Sequence, residues 1–320
     1  MRALPGIGIM SLLAVFVAGV TVPSAAQDYP ARPVRIVTGR PATMMDIVSR
    51  HLAQRLGEQW ARPVVVDNRG MSTAFVSQAP PDGYTLLVAD SGSLSIHPNL
   101  YRSLPYDPER DFAPIALLAS SPVMLVAHPS VPAANLGEFI TYAKRQPRGV
   151  DFANAGPWTN NHMTGELFKQ LTGVNLVQVN YKGGGAATAA IIRGETKAGF
   201  SVPFVSLPHV KAGKLKAYAV TSSKRFAGAL EVPTMAEAGA GDVVTTYWFG
   251  LLAPAHTPPA LVERINREVV DLLQSSGMKS ALLEKGAEPG GGRSEEFGAF
   301  IRSETARFKK VIEAAGLRAE

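Results

Sequence analysis

Short apolar runs alternate with amphipathic stretches along most of the chain, beginning with Val34, Ile36 and Val37. Strands are predicted at 34–37, 63–66, 85–89, 115–118, 123–127, 150–153, 176–179, 198–201, 216–221 and 248–253. Helices are predicted at 44–57, 135–145, 160–172, 185–193, 206–213, 258–275 and 294–315. The first of these places Ile47, Val48, Leu52 and Leu56 on one face. Gly290-Gly291-Gly292 reads as a flexible turn before the last helix. Such alternation predicts an α/β chain with mostly parallel sheets flanked by helices. Residues 130–247 form a self-sufficient α/β block, so two sheets are expected rather than one. Domain 1 would be discontinuous, 27–125 and 250–320, with domain 2 at 126–249. Two crossings of the chain between two lobes describe a hinged clamshell, and the cleft between lobes is a preferred small-molecule site. No internal repeat stands out.

The first 26 residues read as a cleaved signal peptide: Arg2, an apolar run at 7–20, then Ser24-Ala25-Ala26. That predicts export, with the periplasm as destination. No later stretch is long and apolar enough for a membrane span, so the mature chain is expected to be soluble. The absence of cysteine excludes disulfides, thiolate metal sites and a cysteine nucleophile. A net charge of +6, or +5 once Arg2 is removed, favours anionic small molecules through weak steering. Basic residues are scattered and no aromatic–basic motif appears, which argues against nucleic acid. The histidines at 51, 97, 128, 162, 209 and 256 lack metal-ligand spacing, and there is no Gly-x-Ser-x-Gly elbow. No metal, cofactor or catalytic set is therefore expected, and a hydrolase is the weakest reading.

Loops that follow strands and open helices carry the candidate chemistry, because free N–H groups and the helix dipole attract anions. After the first strand come Thr38, Gly39, Arg40, Ala42, Thr43 and Met44, where Arg40 offers a carboxylate a two-bond grip. Asp46 lies three residues after Thr43, as in a capping box, and is read as structural. Ser91, Gly92 and Ser93 suit close approach to an oxyanion or, equally, a turn and N-cap. Ala155, Gly156, Trp158, Thr159 and Asn160 open the helix at 160, with Thr159 as cap and Trp158 placed to stack on a ring or pack on its own domain. Tyr181 precedes Lys182-Gly183-Gly184-Gly185, which lacks phosphate-loop spacing. Ser201 and Phe204 bound an apolar rim.

These loops, in this order, resemble the extracytoplasmic solute-binding proteins of the tripartite tricarboxylate transporter system, the Bug family. The resemblance spans the mature chain. It rests on Tyr29-Pro30-x-Arg32-Pro33-Val34, Pro63-Val64-Val65-Val66-Asp67-Asn68-Arg69, Asp82-Gly83-Tyr84-Thr85, Leu104-Pro105-Tyr106-Asp107-Pro108, Gly165-Glu166-Leu167-Phe168, Lys211-Ala212-Gly213-Lys214-Leu215 and Trp248-Phe249-Gly250-Leu251-Leu252-Ala253-Pro254. It implies a type II periplasmic-binding-protein fold. A small carboxylate would sit between two lobes, held at 38–43 and 156–160, with 91–93 as a further ligand loop. It also implies delivery to a permease of two integral membrane subunits, by a monomer. Docking on a sensor kinase is an alternative that the sequence does not separate.

The chain departs from the family pattern at instructive places. The first loop of such proteins commonly reads Pro-Phe-x-x-Gly-Gly-x-x-Asp, of which only Asp46 survives here. The glycine-rich loop after Asn68-Arg69 is several residues shorter. Ser201-Val202-Pro203-Phe204 stands where relatives often carry Asp-Asn-Leu-Pro. Loss of that acid, with Arg40, Met44, Trp158 and Phe204 added, points to a carboxylate with an apolar or aromatic body rather than an amino acid.

Overall fold

A computed structural model describes residues 29–319, so the predicted signal peptide at 1–26 lies outside the described residues. The chain runs β1 (Val34–Thr38), α1 (Met44–Trp60), β2 (Val64–Asn68), α2 (Ser72–Val76) and β3 (Thr85–Asp90). A π-type turn at Gly92–Ile96 then leads into α3 (His97–Leu100), β4 (Phe112–Pro122) and β5 (Met124–Ala127). Next come α4 (Leu136–Lys144), β6 (Val150–Asn154), α5 (Asn160–Thr172), β7 (Leu176–Asn180) and α6 (Gly184–Ile192). The remainder is β8 (Ala198–Ser201), α7 (Pro203–Lys211), β9 (Lys216–Val220), β10 (Thr246–Pro254), α8 (Pro259–Gln274), α9 (Ser276–Glu284), β11 (Glu288–Gly291) and α10 (Ser294–Ala315).

Two sheets form two lobes, in the orders β11-β4-β10-β3-β1-β2 and β7-β6-β8-β5-β9. Both are mixed, which corrects the mostly parallel expectation. β1, β2 and β3 run parallel, but β10 lies antiparallel to β3 and β4, and β5 antiparallel to β8 and β9. The reason is topological: a strand that carries the chain from one lobe to the other enters its sheet from the hinge end, against the local βαβ direction.

The chain passes from the first sheet to the second at Val123 and returns between β9 and β10. Thr221, fully buried, ties the two crossings together. Its hydroxyl accepts from the Val123 N–H (3.1 Å) and donates to the Thr245 carbonyl (2.6 Å), while its backbone N–H donates to the Val123 carbonyl and its carbonyl accepts from the Thr245 N–H (both 3.0 Å). Each lobe has its own apolar layers, with Leu52, Leu86, Phe249 and Ile265 in the first and Phe139, Phe152, Phe168 and Phe200 in the second. A further cluster joins them: Ile96 and Leu100 of the first lobe, Met163 of α5, and Phe308 and Ile312 of α10.

The glycine run before α10 is not a flexible turn. Glu288–Gly291 pairs antiparallel with β4, and a Cβ on Gly290 would stand 2.1 Å from the Leu117 carbonyl oxygen. Only glycine lets this edge strand lie flush on its neighbour.

Candidate functional site

α1 and α5 begin with the same local construction. Thr43 Oγ1 accepts from the Asp46 N–H (3.2 Å) and donates to the Arg40 carbonyl (3.0 Å). Thr159 Oγ1 accepts from the His162 N–H (3.4 Å) and donates to the Gly156 carbonyl (2.8 Å). Before each cap stands a non-glycine residue in the left-handed region, Ala42 (φ 58°) and Trp158 (φ 63°). Each gives its N–H to the side chain four residues on: Ala42 to Asp46 Oδ2 (2.9 Å), Trp158 to His162 Nδ1 (3.1 Å). The segments align as Arg40-Pro41-Ala42-Thr43-Met44-Met45-Asp46 on Gly156-Pro157-Trp158-Thr159-Asn160-Asn161-His162. A small repeat therefore does exist in the sequence, legible as Pro-x-Thr-x-x-acceptor. In both, the first two helical N–H groups (Met44 and Met45, Asn160 and Asn161) have no acceptor among the described residues. Unpaired N–H groups at the positive end of a helix favour an anion.

The first turn is stapled from behind. Asn68 Nδ2 donates to Asp46 Oδ1 (2.8 Å) and to the Gly39 carbonyl (2.9 Å), and Arg50 pairs with the same carboxylate (3.1 Å). Burial pushes the Asp46 carboxyl up, but the bonds from Asn68, the Ala42 N–H and Arg50 outweigh it and hold its pKa below the ordinary value. Its structural reading stands, with the bond reaching one residue further back than a capping box. Arg40 is exposed, and its guanidinium has no ion pair or hydrogen bond among the described residues. Asp90 does not hold it. That carboxylate accepts from the Ser93 N–H (3.1 Å), the Ser93 hydroxyl (3.0 Å) and the Tyr247 hydroxyl (3.4 Å). Burial, and then the Asp90 charge, raise the Tyr247 pKa well above its usual value, so the phenol stays a donor.

Ser91, Gly92 and Ser93 are helical rather than a loop, since the chain coils directly after β3. Ser91 Oγ and Thr38 Oγ1 are fully buried with no partner, at the C-terminal ends of the parallel strands β3 and β1. Met44 is buried in the first lobe's core, so its side chain packs instead of lining the loop.

In the second lobe, Asn160 donates to the Thr246 carbonyl of the returning strand (3.0 Å), and its Oδ1 is buried without a partner. Asn161, which the sequence reading passed over, donates to the Phe200 carbonyl (2.6 Å) and fixes the start of α5 against β8. The Ala155 carbonyl accepts from the Gly183 N–H (3.0 Å), and the Tyr181 N–H bonds Asn154 (3.1 Å), so the two loops close on each other. The ring of Tyr181 packs on the cluster of Ala187 and Ile191. Ser201 shares a hydrogen bond with Thr188 (2.9 Å). Trp158 lies on His162, with ring centroids 5.4 Å apart, and packs on the cluster that joins the lobes. Phe204 sits against the first lobe, with its backbone N 2.7 Å from where a Cβ on Gly286 would be and Lys285 Nζ 6.0 Å from its ring. Trp158 and Phe204 thus serve the seam between lobes. Among the described residues five buried side-chain atoms lack a partner, and three belong to Thr38, Ser91 and Asn160. A cavity of about 290 Å³ lies elsewhere, between α1 and α9, lined by residues such as His51, Arg55 and Met278.

The sequence profile described as "Tripartite tricarboxylate transporter family receptor" matches residues 48–317. The chain is 32% identical to Protein BugT of Bordetella pertussis over 319 residues, covering 97% of this chain and 98% of that one. Among solved structures it is similar to Rpa4515 of R. palustris with adipate (33% identity, TM-score 0.83, 91% of this chain and 99% of that one). It is also similar to MatC (Rpa3494) of Rhodopseudomonas palustris with bound malate (28% identity, TM-score 0.78, 89% and 100%).

Proposed function

The chain belongs to the tripartite tricarboxylate transporter receptor family, a family of solute-binding receptors rather than enzymes, and from that premise we propose that it captures a small carboxylate with an apolar body. Two relatives are solved with adipate and with malate, both carboxylates. The observation that carries the reading is the pair of matched helix starts. Each leaves two N–H groups unpaired, and the oxygens of Thr38 at the end of β1, Ser91 just past β3 and Asn160 in the first turn of α5 are also buried without a partner. A buried polar atom without a partner costs roughly 1–3 kcal/mol, a penalty that a ligand or a bridging water relieves.

Arg40 supplies a free cation for one carboxylate. The preference for an apolar body rests on Ser201, which bonds Thr188 where the family pattern often has an acid nearby, so no acidic side chain there accepts from an amino or hydroxyl group. It does not rest on Met44, Trp158 or Phe204, whose packing is accounted for. Closure about the crossings near Val123 and Thr245 would bring the lobes onto the ligand, and a periplasmic receptor of this kind hands its cargo to a two-subunit membrane permease. Among the described residues no helix is long and apolar enough to cross a membrane.

A thermal-shift panel of aliphatic and aromatic mono- and dicarboxylates tests this. A ligand at one hundred times its dissociation constant adds about 2.7 kcal/mol of stability. Aromatic or long aliphatic acids should shift the midpoint more than malate or citrate. No shift with any carboxylate overturns the reading.

A further inference from the structure

The two helix starts share a proline, a threonine cap and a left-handed residue whose N–H is held by the side chain four positions on. They differ in what does the holding: Asp46 in one, His162 in the other. A carboxylate remains an acceptor across the physiological range. An imidazole nitrogen accepts only while it carries no proton.

We propose that His162 is the positioning residue of the second seat, and that protonating it releases the Gly156–Thr159 turn and with it the anion-facing N–H groups of α5. The neutral ring is fixed in one tautomer. Nδ1 accepts from the Trp158 N–H at 3.1 Å, so the proton sits on Nε2, which faces Glu166 Oε1 at 3.8 Å. A second proton turns Nδ1 into a donor aimed at another donor. Trp158 then loses the bond that keeps a bulky residue at φ 63°, and Gly156 (φ 128°), two residues before it across Pro157, is a point at which the turn can change path.

The surroundings of the ring agree with this role. Glu166 and Lys169 are the charged groups that act on it, both on its own helix. Glu166 is already engaged by Lys169 (2.9 Å) and by Gln178 of β7 (3.1 Å). The joining cluster packed on this part of α5 is apolar, with Ile96 and Leu100 from the first lobe and Phe308 and Ile312 from α10. On α10, Glu304 and Arg307 are turned to Trp248 and Val244. Burial lowers the imidazole pKa, Glu166 opposes that and Lys169 adds to it, with a net fall. The ring is therefore neutral at pH 7 and takes its proton at a lower pH than a free imidazole does. In the unfolded chain the same ring protonates at about pH 6.5. Below that pH the unfolded state binds more protons, so both stability and the seat weaken as pH falls.

For the effect on binding, the inference rests on the proposed carboxylate capture; for the turn itself it does not. Amide hydrogen exchange, corrected for intrinsic rate, separates the two. In the wild type the Trp158 amide should be protected at pH 7.5 and lose at least tenfold of that protection by pH 5.0. The Ala42 amide, held by Asp46, should change less than twofold. In His162→Asn, whose Oδ1 can occupy the place of Nδ1 without titrating, protection should persist at both pH values; in His162→Ala it should be absent at both. Adipate serves as binding probe by calorimetry, read as a difference between proteins because its own carboxyls begin to take up protons by pH 5.0: between pH 7.5 and 5.0 the wild type should lose at least about threefold more affinity than His162→Asn. Exchange at Trp158 that ignores pH, or that stays pH-dependent in His162→Asn, overturns the proposal. If exchange follows the expectation while neither adipate nor any acid of the panel binds, this inference stands and carboxylate capture fails.

Discussion

At the start of α1 the turn carries Arg40 where α5 has Gly156, Met44 and Met45 where α5 has Asn160 and Asn161, and Asp46 where α5 has His162. The backbone is nonetheless the same, because proline, the threonine cap and an acceptor three residues later are enough to build it. The remaining side chains settle what each turn can do. In the first lobe the methionines go into the core and leave the turn's charge to one exposed guanidinium. In the second, both asparagines bond to carbonyls of neighbouring strands, which locks the helix start to β8 and to the returning strand. Net charge follows a complementary division. Residues 124–245 contain twelve Lys and Arg against seven Asp and Glu, whereas 27–123 and 246–320 contain nineteen of each. The electrically neutral lobe thus presents an unpaired cation at its helix start, while the basic lobe presents N–H groups within a positive long-range field.

The comparison can be broken most sharply at Asp46. Asp46→Ala leaves the Ala42 N–H, Asn68 and Arg50 without their acceptor and should cost roughly 2–3 kcal/mol in urea unfolding. A loss under about 0.5 kcal/mol would mean that the staple does not hold the turn. Arg40→Ala should weaken carboxylate binding at least tenfold, about 1.4 kcal/mol, with thermal stability almost unchanged. Equal affinity in calorimetry removes Arg40 from the ligand. Thr43→Ala and Thr159→Ala should each cost about 1 kcal/mol, because each removes one N-cap from the same construction. Clearly unequal losses would show that the likeness is only geometric. The smallest effect is a gain: Ala42→Gly relieves a left-handed alanine where the family pattern carries glycine, and should stabilise by up to about 1 kcal/mol.

Local signals in the chain were strong where one segment explains itself. Thr159 marked the first turn of α5, and the run from Val34 marked β1, because a cap and an apolar period act over a few residues. Other elements exist only through distant partners. Gly92 and Pro98 are poor helix formers, yet 92–100 coils because Ile96 and Leu100 are buried against α10. Glu288–Gly291 has no strand propensity and becomes β11 only on the edge of β4. The packing partners of Trp158 and Phe204 were not legible, since an aromatic residue in a loop beside a helix start gives no hint of which surface it will meet.

By itself the sequence determined two α/β lobes, the capped helix starts and a resemblance strong enough to imply a carboxylate receptor. Each of these rests on period, spacing or ordered motifs, which are properties of the chain alone. Tertiary structure decided the antiparallel strands at the hinge, the seam that takes up Trp158 and Phe204, and the bond from Trp158 to His162. These depend on which surfaces meet across the fold and on which nitrogen of an imidazole faces an N–H, and neither is written in the local order of residues.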